Sequence, residues 1–351
     1  MSATTIDADF VARYLSERLN AGVDVKGLVK FPRGVSRETW FAECAVDRAG
    51  AREAESFVFR RDLPGGSVCP ATLRFEYEIY SRLARSAVPV AKPLWYEDDE
   101  AWLADGRDFY VREHVDGTWE VPHFLDGDES HDELRVEISK EHLRKLALVH
   151  TCDWEGLGFG DIMAVPPVPA ACATTAVERL VGTLAEFQIE PFPLVIEAVE
   201  WLTDHAPTDA PRVSLLKGTN GLGEEIFRGT EIVAMSDWEL ASLGDPASDF
   251  AHVQDFIPEI SRQGEVIWGL DAALEYYEGI SGLHVTRQSI DYYRTVFNLE
   301  MIVFAHNAAL PLTDGSDHLA RLAWVSTEVL HWAKLLLALG TGVFNAPGEE
   351  D

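Results

Sequence analysis

The sequence predicts a two-lobed α+β protein: a small mixed lobe with an antiparallel sheet, then a larger and mainly helical lobe. Three observations carry this. The chain has 351 residues, more than one small core accommodates. Residues 1–115 alternate between helical and strand patterns, the order of a small α+β lobe. Residues 116–345 are helical in pattern, apart from one short strand and one hairpin.

The elements follow in order. Residues 9–19 predict an amphipathic helix, because Phe10, Tyr14, Leu15 and Leu19 recur at helical spacing, with Gly22 as the stop. Residues 39–44 are aromatic-rich and predict a strand. Asp47-Arg-Ala-Gly50 reads as a turn, and residues 57–60 as a second strand closed by Pro64-Gly-Gly66. Residues 73–83 return to helical spacing, with Phe75, Ile79 and Leu83 on one face and Glu76 one residue round from it. Residues 88–93 break that helix, and Trp102-Leu103 with residues 109–111 predict a further strand pair. Val115-Asp-Gly117 reads as a hinge, and residues 126–133 are polar without a strong pattern. Helices are expected over 138–150, 192–205, 270–277, 290–309 and 319–339, with a rigid crossing at Pro166-Pro-Val-Pro169. Between them, residues 213–216 predict a short strand. A glycine-rich loop follows, then a hairpin from 225–227 to 232–235 that turns at Arg228-Gly229.

Composition narrows the partners. With 29 basic and 59 acidic residues, the formal charge is −30. Phosphate-backbone binding needs clustered Lys and Arg, which argues against nucleic acid and against anionic membranes. An acidic surface serves solubility first. No apolar run is expected to approach the roughly 20 residues of a membrane span. Cys44, Cys69, Cys152 and Cys172 form no C-x-x-C pair, and no Cys/His cluster has zinc spacing. The first nine residues carry no basic-then-apolar leader, so a reducing cytoplasm is the expected setting.

The chief chemical signal ends the hairpin. Asp237 leaves an apolar strand, where a carboxylate is costly to bury and useful to a cation. Eight residues on, Asp245 reads as a helix N-cap and Pro246 as the first helical residue, with Ser248 and Asp249 behind. The whole run, Ser236-Asp-Trp-Glu-Leu-Ala-Ser-Leu-Gly-Asp-Pro-Ala-Ser-Asp-Phe250, resembles a family signature. The signature follows the catalytic loop in the aminoglycoside phosphotransferase (APH)/choline kinase-like family. It is closest to the branch associated with acyl-CoA dehydrogenases. Leu146-Ala-Leu-Val-His150 and Asp153-Trp-Glu-Gly-Leu157 resemble that branch too. Residues 109–117 are similar to its interlobe linker, and residues 57–64 to its phosphate-contacting strand.

The resemblance implies a protein-kinase-like two-lobed fold. It implies ATP and Mg2+ as cofactors and an alcohol group of a small molecule as acceptor. It further implies that Arg60, with Arg61 beside it, contacts nucleotide phosphates and pairs with Glu76. Gly34 and Ser36 would cover the phosphates, Glu113 and Val115 would meet the nucleotide from the linker, and Asp237 and Glu224 would bind metal.

One segment departs from the family. The catalytic loop H-G-D-x-x-x-x-N is here Lys217-Gly-Thr-Asn-Gly-Leu-Gly-Glu224. Lys217 replaces His, Thr219 the catalytic Asp, and Glu224 the metal-binding Asn. Threonine cannot accept a proton at neutral pH as a carboxylate can, and such a base is worth about 10²- to 10⁴-fold. Glu224 still suits magnesium, whereas Glu225 would face the other way on a strand. Three readings stay open. One is a phosphotransferase with a rearranged loop. Another is a non-catalytic pseudokinase that binds nucleotide or metabolite and regulates a partner. The third is different chemistry built on Lys217, Thr219 and Glu224. The helical lobe would hold the acceptor, either a cationic antibiotic or a hydroxylated acyl or other hydrophobic molecule. Trp201, Trp238, Trp268, Tyr276 and Tyr277 could line an apolar pocket but read first as core, and His150, His252 and His306 read as core rather than as ligands.

Overall fold

Helix α1 (Ala8–Leu19) begins where the Asp7 carboxylate accepts the Phe10 N–H at 2.8 Å, and ends on Asn20 in the left-handed conformation. The stop is thus Asn20 rather than Gly22, since a short amide side chain tolerates that backbone. The computed structural model describes residues 6–32, 36–63, 66–99, 101–102, 106–121, 123–187, 193–315 and 319–342. Gly34 and Leu103 therefore lie outside the described residues.

Helix α1 lays Phe10, Val11, Tyr14 and Leu15 on an antiparallel sheet of five strands. These are β1 (Val23–Lys30), β2 (Arg37–Arg48), β3 (Ala51–Asp62), β4 (Pro93–Glu97) and β5 (Phe109–Glu113), in the order β1-β2-β3-β5-β4. Strands β2 and β3 pair in continuous register from Arg37↔Asp62 to Arg48↔Ala51. Two expectations change here. Strand β1 is an additional edge strand. The partner of β5 is β4, whereas Trp102 sits in a turn and packs edge-on against Tyr14 at 5.1 Å. Pro93 can open β4 because an edge strand has an N–H position that needs no partner.

Between β3 and β4 runs α2 (Leu73–Leu83), capped by Thr72, whose hydroxyl accepts the Phe75 N–H at 3.1 Å. Its buried stripe holds Leu73, Glu76, Ile79, Tyr80 and Leu83. Ile79, Tyr80 and Leu83 join the core of the larger lobe, so one helix serves both lobes and carries Glu76 between them.

The larger lobe contains α3 (Asp132–Thr151), α4 (Cys172–Phe187), α5 (Pro193–Asp204), β6 (Ser214–Leu216), β7 (Glu225–Arg228), β8 (Glu231–Met235), β9 (Ser242–Gly244) and α6 (Ala247–Phe250). After them come β10 (Ile260–Arg262), β11 (Glu265–Trp268), α7 (Leu270–Ser281), α8 (Arg287–Asp314), α9 (Ala320–Trp324), a π-helical turn and α10 (Leu330–Gly340). Helix α4 and the β10–β11 hairpin add to the expected elements. Ala173, Val177, Leu180 and Leu184 give α4 a helical apolar stripe, but its first turn is rich in weak helix formers. A further correction concerns apolar length. Residues 320–340 form a 21-residue helical stretch with mean hydropathy 1.3, long and apolar enough to cross a membrane. It packs Ala333 and Leu337 against α8 and exposes Trp324, Trp332 and Leu336.

Two local arrangements position the site. The linker after β5 closes onto β7: the Thr118 N–H donates to the Phe227 carbonyl at 2.9 Å, and the Phe227 N–H to the Thr118 carbonyl at 2.7 Å. A Cβ on Gly117 would sit 2.6 Å from that Phe227 carbonyl oxygen, so this approach needs glycine. Strand β6 pairs with β9 rather than with the hairpin. The segment leaving β6 and the segment entering β9 are thereby brought side by side.

Candidate functional site

Those two segments are the altered loop, 217–224, and the stretch after the hairpin, 236–241. Asp249 of α6 holds the first. Its Oδ2 accepts the Lys217 N–H and His150 Nε2, each at 2.8 Å. Its Oδ1 accepts the Gly218 N–H at 2.8 Å and Asn220 Nδ2 at 3.1 Å. Burial disfavours this carboxylate, yet the His150 contact and the donated N–H groups prevail and hold its pKa below the ordinary value. Gly218 has φ +83°, and a Cβ there would lie 2.4 Å from the Leu240 carbonyl oxygen. Glycine at this point keeps the loop against its neighbour.

Lys217 is fully buried. Its ammonium donates to the Thr219 carbonyl and lies 3.1 Å from Glu224 and 3.2 Å from Glu225. Burial opposes the charge, but Glu225, Glu224 and Asp237 outweigh it and keep the lysine pKa above its usual value. Glu224 precedes β7 and the long lysine stem reaches both carboxylates, but only Glu224 is partly exposed, while Glu225 is sealed inside. The Thr219 hydroxyl is donated to the Asp237 carbonyl.

Asp237 itself adopts φ +63°, a left-handed backbone that is uncommon outside glycine and costs about 1–3 kcal/mol. Its carboxyl pKa is raised, chiefly by burial. Glu224 and Glu239 are both pushed up to about 7, burial being the largest cause and the Asp237 charge adding to it. Three carboxylates that resist ionisation side by side form a site that a cation would relieve.

The opposite wall comes from the small lobe. Arg60 on β3 lies 3.0 Å from Glu76, which also takes Arg37 at 3.3 Å and the Tyr110 hydroxyl at 2.6 Å. Glu76 is 1% exposed, so its charge depends on these partners. Burial alone would raise its pKa, but Arg60 and Arg37 reverse that and lower it.

Two cavities of about 410 Å³ each adjoin this centre. The first is lined by Arg60, Ser36, Glu113, Val115, Asp237 and Glu224. It therefore gathers six of the residues expected at the site. Glu76 lies behind Arg60, and neither Lys217 nor Thr219 lines this cavity. Arg37, Arg112 and Glu239 also line it and were missed. Arg112 sits in the 109–117 linker already noted and Arg37 follows Ser36, but only the fold turns them inward. The second cavity is mainly apolar, with Phe75, Ile162, Leu180, Val296, Phe297 and Phe304 in its wall. Of the aromatic residues weighed for an apolar pocket, Trp238, Trp268 and Tyr277 are core. His150 is core as well, held between Asp249 and Tyr277, while His252 lines the second cavity.

Glu239 lines both cavities. Its Oε1 accepts the Ser36 hydroxyl at 2.9 Å, and its buried Oε2 has no hydrogen-bond partner. Asp237 and Glu224 fit a magnesium ion as a pair of hard oxygen ligands; water and phosphate ordinarily complete such a sphere. Among the described residues, the group of three metal-ligating side chains whose ligand atoms converge within 4.8 Å lies elsewhere, at His123, Asp126 and His131.

Comparison with known proteins agrees with this architecture. Mouse acyl-CoA dehydrogenase family member 11 is 25% identical over 296 residues, covering 79% of this chain and 35% of the relative. The chain thus spans about a third of that relative's length. A proposed aminoglycoside phosphotransferase of Ralstonia eutropha superposes with TM-score 0.65 at 22% identity, over 97% of this chain and 99% of the other. A thermostable mutant of aminoglycoside phosphotransferase APH(4)-Ia, in ternary complex with AMP-PNP and hygromycin B, gives 0.57 at 14% identity, over 97% and 99%. Both likenesses show the kinase-like fold. Residues 27–283 match the model of APH, the phosphotransferase enzyme family, and the chain belongs to that family.

Proposed function

We propose that this chain is an ATP- and Mg2+-dependent phosphotransferase that modifies an alcohol group of an apolar small molecule. The observation that carries the reading is the pair of cavities meeting at Glu239, one charged and one apolar. AMP-PNP in the complex of the structural neighbour supports a nucleotide as the occupant of the charged cavity. The apolar cavity suits a hydrophobic acceptor, and acyl chemistry is suggested by the name of the mouse relative.

Each wall would have its task. Arg37, Arg60 and Arg112 would meet phosphate oxygens, with Glu76 fixing the Arg60 guanidinium. Asp237 and Glu224 would hold the metal ion, which supplies neutralisation of phosphate charge. Glu239 stands where an acceptor hydroxyl entering from the apolar cavity would meet the charged one. Phosphoryl transfer depends mostly on positioning and charge stabilisation, so loss of the Asp base slows such a site without abolishing it. Lys217 and Thr219 would act by shaping the loop, since Lys217 is sealed and Thr219 lines neither of these cavities.

One observation favours a second reading, a nucleotide-binding pseudokinase: the Thr219 hydroxyl is engaged by the Asp237 carbonyl. Titration with AMP-PNP and magnesium, followed by ATP turnover with hydroxylated acyl compounds, separates the two. The phosphotransferase reading expects saturable binding and turnover that Asp237→Asn abolishes. No binding at millimolar nucleotide sinks both readings. Binding without turnover, with activity appearing in Thr219→Asp, establishes the pseudokinase.

A further inference from the structure

We propose that His123, Asp126 and His131 form a binding site for a divalent transition metal, with zinc as the best chemical match, separate from the phosphotransfer cleft. The three lie in the turn that leads into α3. His123 Nδ1 is 2.9 Å from Asp126 Oδ2, and His131 Nδ1 is 3.0 Å from the same oxygen. The two rings lie face to face, with centroids 4.0 Å apart and planes 27° apart. Two imidazole nitrogens and a carboxylate oxygen therefore converge on one point.

The spacing is close to what a metal needs. Zinc bonds of about 2.0–2.2 Å in tetrahedral geometry put neighbouring ligand atoms about 3.3 Å apart. The observed separations are a few tenths of an ångström shorter, a difference that side-chain rotation absorbs. A His₂–carboxylate set suits zinc and other first-row divalent ions, and leaves a fourth position for water. Without metal, His123 Nδ1 is hydrogen-bonded to the Asp126 carboxylate, while His131 Nδ1 is buried beside the same oxygen with no hydrogen-bond partner. On binding, Nδ1 of each ring becomes a ligand and the ring proton resides on the other nitrogen.

The turn is built to hold these groups still. Asp126 Oδ1 accepts the Asp128 N–H at 3.1 Å, which fixes the carboxylate plane. Phe124, between the ligands in sequence, is 1% exposed and packs in the large-lobe core. Its carbonyl accepts Arg135 Nε at 3.1 Å. The Asp128 carboxylate accepts the Ser130 N–H at 2.9 Å and starts the short turn that carries His131 to α3. His123 has φ +64°. A backbone of that kind persists when its surroundings over-determine it. His123 and Asp126 are exposed and give an ion its approach, while His131 Nδ1 is itself buried and unpartnered. Asp128, Glu129 and Glu133 follow on the same acidic segment and draw cations toward it. Sequence reading looked for Cys/His clusters and met this stretch as a polar run. The third ligand is an aspartate, and His-x₂-Asp-x₄-His was the available signal.

The test uses the full chain, stripped with a chelator and titrated with ZnCl₂ by calorimetry and with CoCl₂ by visible absorption. With excess MgCl₂ present to occupy the cleft carboxylates, one equivalent of zinc is expected, with a cobalt spectrum of four-coordinate intensity. His123→Asn keeps a residue that tolerates the left-handed backbone, and Asp126→Asn keeps the acceptor for the Asp128 N–H. Each is expected to weaken zinc at least about tenfold, while Asp237→Asn leaves zinc binding unchanged. Absence of saturable zinc binding overturns the proposal. So does equal affinity in folded His123→Asn and Asp126→Asn chains, with folding checked by circular dichroism. Loss of zinc in Asp237→Asn alone would move the site to the cleft and overturn it as well.

Discussion

Glu76 and Lys217 occupy mirror-image positions in the two lobes. Glu76 is a buried anion surrounded by Arg37, Arg60 and Tyr110. Lys217 is a buried cation surrounded by Glu224, Glu225 and the Thr219 carbonyl. The first cluster opens on a cavity through Arg60, while the second is sealed at Lys217. The small lobe therefore holds its charge where a ligand can use it. In the large lobe the first position of the 217–224 loop is internal structure. A buried cluster of this second kind serves to fix a loop, and its energy is realised in folding rather than in binding.

Breaking the sealed cluster is expected to cost most. Lys217→Met removes the ammonium and leaves Glu225, fully buried, with His142 at 3.7 Å as its nearest remaining basic partner. An uncompensated buried charge of this kind costs about 3–5 kcal/mol. Urea unfolding of the purified variant measures the loss. A change under about 1 kcal/mol would mean that water or a proton reaches Glu225, and the contrast with Glu76 would collapse.

The open cluster should tolerate damage better. Glu76→Gln keeps the side-chain volume, and Arg37 retains Asp62 and the Ala71 carbonyl as partners. Arg60 can turn into the cavity and regain water. The expected loss is about 2–3 kcal/mol, below that of Lys217→Met. Calorimetry with AMP-PNP and magnesium should show weaker binding in the same variant, because Arg60 loses its support. Equal stability losses in the two variants would make exposure irrelevant and refute the comparison.

These clusters also explain what was legible in the sequence. Arg60 and Glu76 could be matched because a strand position and a helix position of opposite charge carry a family pattern. Asp237 could be matched by its spacing after the hairpin. Asp249 could not, since its four donors come from α3 and from a loop some 30 residues away, and nothing local marks them. Glu239 was quoted inside a motif but had no role until two cavities were found on either side of it. Helix α4 was legible in its apolar stripe and was missed through its weak helix formers. β4 was displaced in the reading because aromatic residues mark both Trp95 in the strand and Trp102 in the turn. The burial of Lys217 was not legible, because sequence shows charge and hides burial.

The smallest effect separates the clusters by pH. Glu224 and Glu239 face the cleft with pKa raised from 4.5 to about 7, whereas Glu76 has its pKa lowered. A raised carboxyl binds a proton more readily in the folded chain than in the unfolded one. Its contribution is therefore complete below about 4.5, and is lost as pH rises toward about 7. Glu76 acts in the other direction and only at lower pH, where its protonation removes stability. Between pH 5 and 7 the cleft groups should dominate, and wild-type stability should decline with rising pH. Glu239→Gln cannot ionise and should flatten part of that decline, and added magnesium should flatten it too by favouring the ionised carboxylates. Urea midpoints at several pH values, with and without magnesium, read both effects. A slope unchanged by the substitution and by the ion would place the proton uptake outside the cleft, at carboxyls such as Asp245, raised to about 6 by burial.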